Sequence, residues 1–363
     1  MKILIVTGEV SGDRYGAELA RAIFKRVPSA SVVAFGGAAL RDAGATVEFE
    51  TVSIAAIGIS ERVQFLLRIA AFRRRLAQVL NSDSFDAAII VDFPHHNGWI
   101  ARQIARKSIP ITTFITPNFW IWDDRKKATE LANYSARIVT IFPQEFAFYR
   151  TLTDKPVYYF GHPMFPMGHT PAAGVKTPSI LVMPGSRNQD VRAHLPTIIA
   201  AINLLSPKPE IIMPIAIPEL EPMMRQLLEA RAHFPFQLIP ASEVESRVPD
   251  AALIISSTGT SSLLAIKYEK PIIVLGHLSW VSTFIVRHIL RLDIPYAALP
   301  NILAGKAIVP ELKFAERDPK LIAKWIRKFW KTAACPPEFK VLRHQLTQSE
   351  DPFAATVQLL LTK

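Results

Sequence analysis

Asp92 follows the apolar run Ala87-Ala88-Ile89-Ile90-Val91. A carboxylate at the end of a buried strand is placed there only if it is paired or used. One use is as a general base on a hydroxyl. Glu9 occupies a similar place: Lys2 to Val6 is apolar, and Gly8-Glu9-Val10-Ser11-Gly12-Asp13 follows. These two glycines fall short of the three in a Gly-x-Gly-x-x-Gly dinucleotide loop. A carboxylate here would repel a diphosphate, so the loop suits a sugar or an acceptor hydroxyl. It reads equally as a cap, with Ser11 or Asp13 closing the helix that follows. Anion chemistry points elsewhere. Ser179-Ile180-Leu181-Val182-Met183 empties into Pro184-Gly185-Ser186-Arg187 ahead of a helical pattern. Backbone N–H groups and a helix dipole converge at such a turn, and Arg187 adds a planar cation matched to phosphate oxygens. Ser256-Ser257-Thr258-Gly259-Thr260-Ser261-Ser262 repeats the arrangement, with a helix opening at about Ser261. Each turn alone is also an ordinary capped strand-to-helix connection. Together they form the two cradles a nucleoside diphosphate needs.

Two further stretches carry reactive or aromatic groups. Pro94-His95-His96-Asn97 follows Asp92. Adjacent histidines in a loop rarely face one ion, and no second carboxylate–histidine pair has ligand spacing, so no metal site is expected. Nothing in the sequence calls for a cofactor. Pro117-Asn118-Phe119-Trp120-Ile121-Trp122 precedes Asp123-Asp124-Arg125-Lys126-Lys127. Aromatics two apart point the same way in an extended segment. Trp120 and Trp122 therefore either line an acyl or sugar surface or pack at a sheet end.

The elements that must position these residues recur along the chain. Apolar runs at 2–6, 31–35, 87–91, 111–115, 138–141 and 157–160 each end in a turn rich in Gly, Pro or polar residues. Between the first two lies an amphipathic helix, roughly Tyr15 to Lys25. Such alternation predicts an α/β fold with a parallel sheet covered on both faces. Residues 163–178 are rich in Pro and Gly and read as a linker. The rhythm then restarts, with strands expected at 179–183, 210–215, 236–239, 251–256 and 271–275. Helices are expected at 192–205, 218–232, 260–268 and 318–331. The expected organisation is one domain at 1–165, a second at 166–335, and a helical tail at 336–363. A helix in that tail starts at Asp351-Pro352 and either docks on the first domain or is exchanged between chains. In open parallel sheets ligands bind at the carboxyl ends of strands, where Glu9, Asp92, His162, Arg187 and Gly259 fall.

Composition narrows the partners. With 42 Lys and Arg against 31 Asp and Glu, the chain carries a formal charge of +11, which favours polyanions. No RNP aromatics, zinc-finger spacing or basic tail is present, so nucleic acid is not expected. Arg62 to Leu80 and Trp280 to Leu292 mix aliphatics, aromatics and arginines without acids. That pattern suits an interfacial helix on anionic lipid, and equally a basic helix packed on a sheet. No run of 18 apolar residues predicts a transmembrane helix. The short N-terminal run reads as a first strand and not as a signal peptide. Cys335 is the single cysteine, which excludes an intramolecular disulfide and fits a reducing compartment.

Taken in order, the motifs resemble those of the lipid-A-disaccharide synthase family, peripheral membrane glycosyltransferases of Gram-negative bacteria. They are Gly8-Glu9-x-Ser11-Gly12-Asp13, Ile57-Gly58-Ile59-x-Glu61, Asp92-x-Pro94-x-x-Asn97, Pro117-x-x-Trp120-x-Trp122, Gly161-His162-Pro163, Pro184-Gly185-Ser186-Arg187, Gly259-Thr260 and Pro300-Asn301-x-x-Ala304-Gly305-x-x-x-Val309-Pro310-Glu311-Leu312. The resemblance implies a GT-B fold, two Rossmann-like domains with parallel sheets facing a cleft. It implies metal-independent, inverting transfer of 2,3-diacylglucosamine from UDP to 2,3-diacylglucosamine 1-phosphate, giving a β-1,6 disaccharide and UDP. It also implies a homodimer on the inner face of the cytoplasmic membrane.

By position, Asp92 becomes the base, Glu9 a second essential acid, and Arg187 the cation that neutralises departing UDP. Ser11, Asp13, Glu61, Asn97, Trp120, Trp122 and His162 fall on the acceptor and lipid side. Gly185, Ser186, Gly259, Thr260, Ser261, Asn301 and Glu311 fall with Arg187 on the UDP side. Three positions depart from the family pattern. His95 stands where a second aspartate is usual, and Asp190 replaces a glutamate. Leu264 stands where a glutamate commonly holds the nucleotide ribose; Glu269 lies about 140° further around a helix and is a poor substitute. These departures motivate two other readings. One is a different UDP-sugar enzyme of the same fold, either a transferase or a UDP-GlcNAc 2-epimerase-like enzyme. The other is a non-catalytic lipid- or nucleotide-binding relative.

Overall fold

The computed structural model describes residues 1–52, 62–93, 96–169, 179–276, 296–313, 318–332, 334–348 and 350–362, with only the backbone of 62–64. Glu61, His95, Ile57-Gly58-Ile59 and the stretch Trp280 to Leu292 lie outside the described residues. The chain forms two compact units: Met1–Met167 with Gln345–Lys363, and Gly168–His344.

In the first unit the strands are β1 (Lys2–Thr7), β2 (Ser31–Gly36), β3 (Thr46–Glu50), β4 (Ala87–Val91), β5 (Ile111–Phe114), β6 (Arg137–Thr140) and β7 (Val157–Tyr159). Among the described residues they form a seven-stranded sheet in the order β3-β2-β1-β4-β5-β6-β7, with every pair parallel. Both faces are covered, as continuous apolar strands require. Leu4 and Val6 of β1 face a core with Phe72 and Leu76 of the helix Arg62–Ser82. Ile3 and Ile5 are equally buried, and alternation turns them to the opposite face. There Ile5 meets the helix Val10–Arg26.

The second unit holds β8 (Ser179–Met183), β9 (Glu210–Ile215), β10 (Phe236–Pro240), β11 (Ala251–Ser257), β12 (Ile272–Leu275) and β13 (Glu311–Leu312). Their order is β10-β9-β8-β11-β12-β13, again parallel. Numbered within its own unit, each sheet reads 3-2-1-4-5-6, the first with a seventh strand beside the sixth, the order of a doubly wound sheet. The order reverses between first and fourth strands, where such sheets bind ligands.

Several expectations change. β3 and β13 are strands that no apolar run marks: β3 is half-exposed and carries two glutamates, and β13 is two residues long. The first helix starts at Val10, so Ser11, Gly12 and Asp13 are helical residues and not loop. The helix after Arg187 starts at Asn188, four residues earlier than the apolar periodicity indicated. The expected tail at 336–363 is divided. The helix Pro352–Leu361 packs on the helix Val10–Arg26 of the same chain, capped by Asp351, which accepts from Phe353 N–H at 2.8 Å. Phe353 lies against Tyr15 and Phe114. Among the described residues no helix is long and apolar enough to cross a membrane.

Candidate active site

In the first unit β1 and β4 pair up to Thr7 and Val91, so the next residues leave the sheet side by side. Gly8 allows this. A Cβ there would come within 2.7 Å of the Phe93 backbone, closer than any side chain tolerates. Glu9 then stands in extended conformation as the N-cap residue of the helix Val10–Arg26, with its carboxylate making no capping bond. Asp92 takes a left-handed conformation at φ 28°, which is uncommon for a residue with a Cβ. Its N–H donates to the Ile115 carbonyl at 3.2 Å. The buried Asn97 fixes the loop from the other side: its Oδ1 accepts from Phe93 N–H at 2.9 Å. Its Nδ2 has no partner among the described residues. Glu9, Ser11, Asp92 and Asn97 therefore gather at one switch point.

Other expected residues have structural employment. Asp13 is buried and caps a different helix from the expected one. Its oxygens accept from Gly37 N–H at 2.6 Å and Ala39 N–H at 3.0 Å, at the start of the helix Ala38–Asp42. Burial pushes its carboxyl above the ordinary aspartate range, against the pull of those amides. Phe119–Trp122 is a helical turn and not an extended segment, so Trp120 and Trp122 do not share a face. Trp120 packs on Phe142 at 5.4 Å between centroids; Trp122 is 39% exposed. His162 is buried among Tyr15, Phe142 and Phe165. Its Nδ1 accepts from Met164 N–H at 3.1 Å, which places any proton of the neutral ring on Nε2.

One group at this sheet end was not singled out in the sequence. Glu145, 1% exposed, lies in the first turn of the helix Pro143–Arg150. It accepts from Thr116 Oγ1 at 2.6 Å, Thr116 N–H at 3.1 Å and Ile141 N–H at 2.9 Å. Burial pushes its carboxyl up to about 7, although all these donors favour the anion. A glutamate two residues past a helix-opening proline, beside an apolar strand, is the sequence signal that marks it.

In the second unit Met183 of β8 pairs with Ser256 of β11, so the two glycine turns emerge as neighbours. Gly185 is at φ 137°, with Asp190 packed over it. Buried His194, two turns into the helix Asn188–Asn203, pins the turn through Nδ1 to the Pro184 carbonyl at 2.7 Å. Arg187 is the exposed N-cap residue of that 16-residue helix, long enough for a full macrodipole. At the other turn Gly259 is at φ 146°. Among the described residues nothing lies within 4 Å of where its Cβ would be. Ser256 Oγ and Ser261 Oγ share a hydrogen bond of 2.8 Å, and Ser262 Oγ donates to the Gly259 carbonyl at 2.7 Å. Here the expected helix 260–268 is a 3-10 turn, Thr260–Ser262, and then only Leu263–Lys267. Its dipole is correspondingly weak, so this turn binds through local amides and hydroxyls.

Asn301 and Glu311 form an internal clamp. Asn301 Oδ1 accepts from Ile308 and Val309 N–H at 2.8 and 2.9 Å, and its Nδ2 donates to the Val309 carbonyl and to Glu311. Glu311 also accepts from Ala297 and Ala298 N–H at the start of the helix Leu299–Ala304. That helix packs against the turn Thr260–Ser262, so the clamp shapes the cradle. Leu264 is buried. Glu269 is paired with Arg343 at 3.1 Å, so the carboxylate nearest in sequence to the missing one is already occupied.

The sequence model of a family described as lipid-A-disaccharide synthetase matches residues 3–333. The chain is 31% identical over 336 residues to a lipid-A-disaccharide synthase of Pseudomonas syringae pv. syringae, covering 89% of this chain and 87% of the relative. It is 29% identical over 348 residues to one of Myxococcus xanthus, covering 91% and 88%. Among solved structures it is similar to the Methanocaldococcus jannaschii UDP-GlcNAc 2-epimerase, crystallised with UDP-GlcNAc and UDP. The TM-score is 0.64 at 11% identity, with both chains fully covered. The calicheamicin glycosyltransferase CalG4 gives 0.63 at 13% identity, covering 100% of this chain and 98% of that one. Acinetobacter baumannii MurG gives 0.59 at 13% identity, covering 100% and 99%. These likenesses show the fold, the paired Rossmann-like units of the GT-B class.

Proposed function

Because the chain belongs to the lipid-A-disaccharide synthetase family, and is a glycosyltransferase, we propose the following reaction for it. 2,3-Diacylglucosamine moves from UDP to the 6-hydroxyl of 2,3-diacylglucosamine 1-phosphate. The observation that carries this reading is topological. In both sheets the strands flanking the order reversal are those whose ends bear the carboxylates, in one unit, and the anion turns, in the other. Asp92 takes the proton of the acceptor hydroxyl as its oxygen attacks the anomeric carbon. The bond from that carbon to the diphosphate breaks, and the electron pair leaves with UDP. Arg187 and the amides of the Gly185 and Gly259 turns stabilise the charge that develops there. Glu9 and Asn97 shape the acceptor side. Glu61 joins them on the strength of the family resemblance.

The membrane partner belongs to the same proposal. The helix Arg62–Ser82 buries Ile69, Phe72 and Leu76 but leaves Leu66 and Leu67 each 65% exposed, next to Arg68. In the second unit, Lys320, Lys324, Arg327, Lys328 and Lys331 lie along one exposed stripe of the helix Pro319–Thr332. Both features suit attachment to an anionic cytoplasmic leaflet. A homodimer follows from the family resemblance, and light scattering decides it.

The test mixes UDP-diacylglucosamine and diacylglucosamine 1-phosphate with the protein in detergent and follows the products by mass spectrometry. Disaccharide and UDP in equal amounts support the reading. A parallel assay offers UDP-GlcNAc alone: its consumption without lipid would replace the reading by an epimerase-like role, and lipid binding with no product in the first assay by a non-catalytic one. The buried Leu264 and the engaged Glu269 are what give those outcomes weight.

A further inference from the structure

Asp92, Ile115 and Ile141 each follow the end of a strand, and those strands, β4, β5 and β6, are neighbours in the sheet. A chain of hydrogen bonds crosses this edge. Asp92 N–H donates to the Ile115 carbonyl at 3.2 Å, and Ile115 N–H donates to the Val139 carbonyl at 3.0 Å. Thr116 is then bound twice by Glu145 Oε1, through its hydroxyl and its amide. Ile115 sits at φ 64°. For a β-branched residue this is an outlier, and such a conformation persists only where the surroundings over-determine it. The surroundings here are the bonds just named.

A glutamate in the first turn of a helix ordinarily reaches back to cap it. That accounts for Oε2, which takes the Ile141 amide at 2.9 Å. It does not account for Oε1, which is aimed at a neighbouring strand end, 29 residues away in sequence. Nor does capping require complete burial.

We infer that Glu145 is a positioning residue for Asp92: it clamps Thr116, which holds Ile115 in its left-handed conformation, and the Ile115 carbonyl in turn sets the backbone that aims the Asp92 carboxylate. This rests on the reading of Asp92 as the base. Protonated Glu145 has one acceptor fewer for its three donors, so the clamp loosens as the carboxyl takes up a proton. Burial places that event at about pH 7. The groups facing Glu145 are Tyr149 on its own helix and Tyr159 on β7, with Asp124 beyond Tyr149. Burial raises both phenols, so neither ionises in this range.

The experiment measures kcat and KM for both lipid substrates across neutral pH, in detergent, for the full-length wild type, Glu145→Gln, Thr116→Val and Asp92→Asn. In Glu145→Gln, kcat falls by about 10- to 100-fold, the scale of a misaimed group, while KM hardly changes. The inflection near neutral pH in the wild-type kcat profile disappears. Thr116→Val, which keeps shape but loses the hydroxyl bond, shows a smaller fall with the same split. If Glu145→Gln does not fold, Thr116→Val decides: a lower kcat at unchanged KM supports the inference, and wild-type kcat overturns it. An inactive Asp92→Asn beside a Glu145→Gln with wild-type kcat and pH profile overturns this inference alone. Wild-type turnover in Asp92→Asn overturns the assignment of the base, and this inference with it.

Discussion

The two switch points have the same topology and opposite construction. At the first, left-handed backbone is carried by Asp92, with Ile115 at the adjoining end of β5; at the second, by Gly185 and Gly259. Glycine adopts this conformation without steric penalty, whereas each non-glycine costs about 1–3 kcal/mol. The difference follows from what each site must present. A base needs a side chain aimed from a fixed backbone, so glycine cannot serve. An anion cradle needs exposed amides and no side chain, so glycine serves best. Charge follows the same division: buried or half-buried carboxylates at one sheet end, an exposed arginine on a full-length helix at the other.

Four changes break or sharpen this contrast. The largest effect is expected from Asp92→Asn, which keeps shape but cannot take a proton; turnover should drop by about 10³-fold in the product assay. Next comes pH. Burial raises folded Glu145 from 4.5 to about 7, so between those values the folded protein holds a proton that the unfolded chain has released. Its contribution to stability is full below about pH 4.5 and is lost as pH rises through about 7, amounting to about 3 kcal/mol. Urea titrations at mildly acidic and mildly alkaline pH should show that loss in the wild type and not in Glu145→Gln. Activity moves the opposite way with pH.

Third, Gly185→Ala places a methyl against Asp190 at a positive φ, and should cost about 2 kcal/mol of stability. Gly259→Ala meets no neighbour within 4 Å among the described residues and only backbone strain, so its cost is smaller. Equal costs would show that packing over Gly185 is not what distinguishes the two turns. Last, Asp92→Gly relieves strain while removing the carboxylate. It should raise stability by about 1 kcal/mol in urea denaturation and abolish turnover. A loss of stability would mean that Asp92 is held for the fold and not for function.

How much of this was legible in the sequence depends on burial. Apolar strands announce themselves, at the sheet centre and at the edges Val157–Tyr159 and Phe236–Pro240 alike; Thr46–Glu50, half-exposed and carrying two glutamates, does not. The strand-end motifs at Glu9, Asp92, Arg187 and Gly259 were legible because each interrupts an apolar run. Which of these strand ends lie side by side was not, since that depends on strand order, which local sequence does not encode. The same limit applies to Asp13, Asn301 and Glu311. The family resemblance puts these three at the site, and local sequence does not show that backbone amides on other turns of the chain bind them. A spacing of two does not put Trp120 and Trp122 on one face because a helical turn starts after Asn118; of the two alternatives, packing at the sheet end holds for Trp120, which lies on Phe142. At Glu145 the sequence marks the residue but not its clamp, because Thr116 lies just past the end of another strand, 29 residues away.

The division of labour between the two switch points is tested most directly by calorimetric titration of UDP into wild type, Asp92→Asn and Arg187→Ala. UDP affinity in Asp92→Asn should stay within about threefold of wild type, since Asp92 handles a proton and not the diphosphate. Arg187→Ala should weaken UDP by about 10- to 100-fold, the loss of a charge-assisted hydrogen-bonding group. If Asp92→Asn weakens UDP as much as Arg187→Ala does, the carboxylate end and the cradle end do not have separate tasks, and the account is wrong.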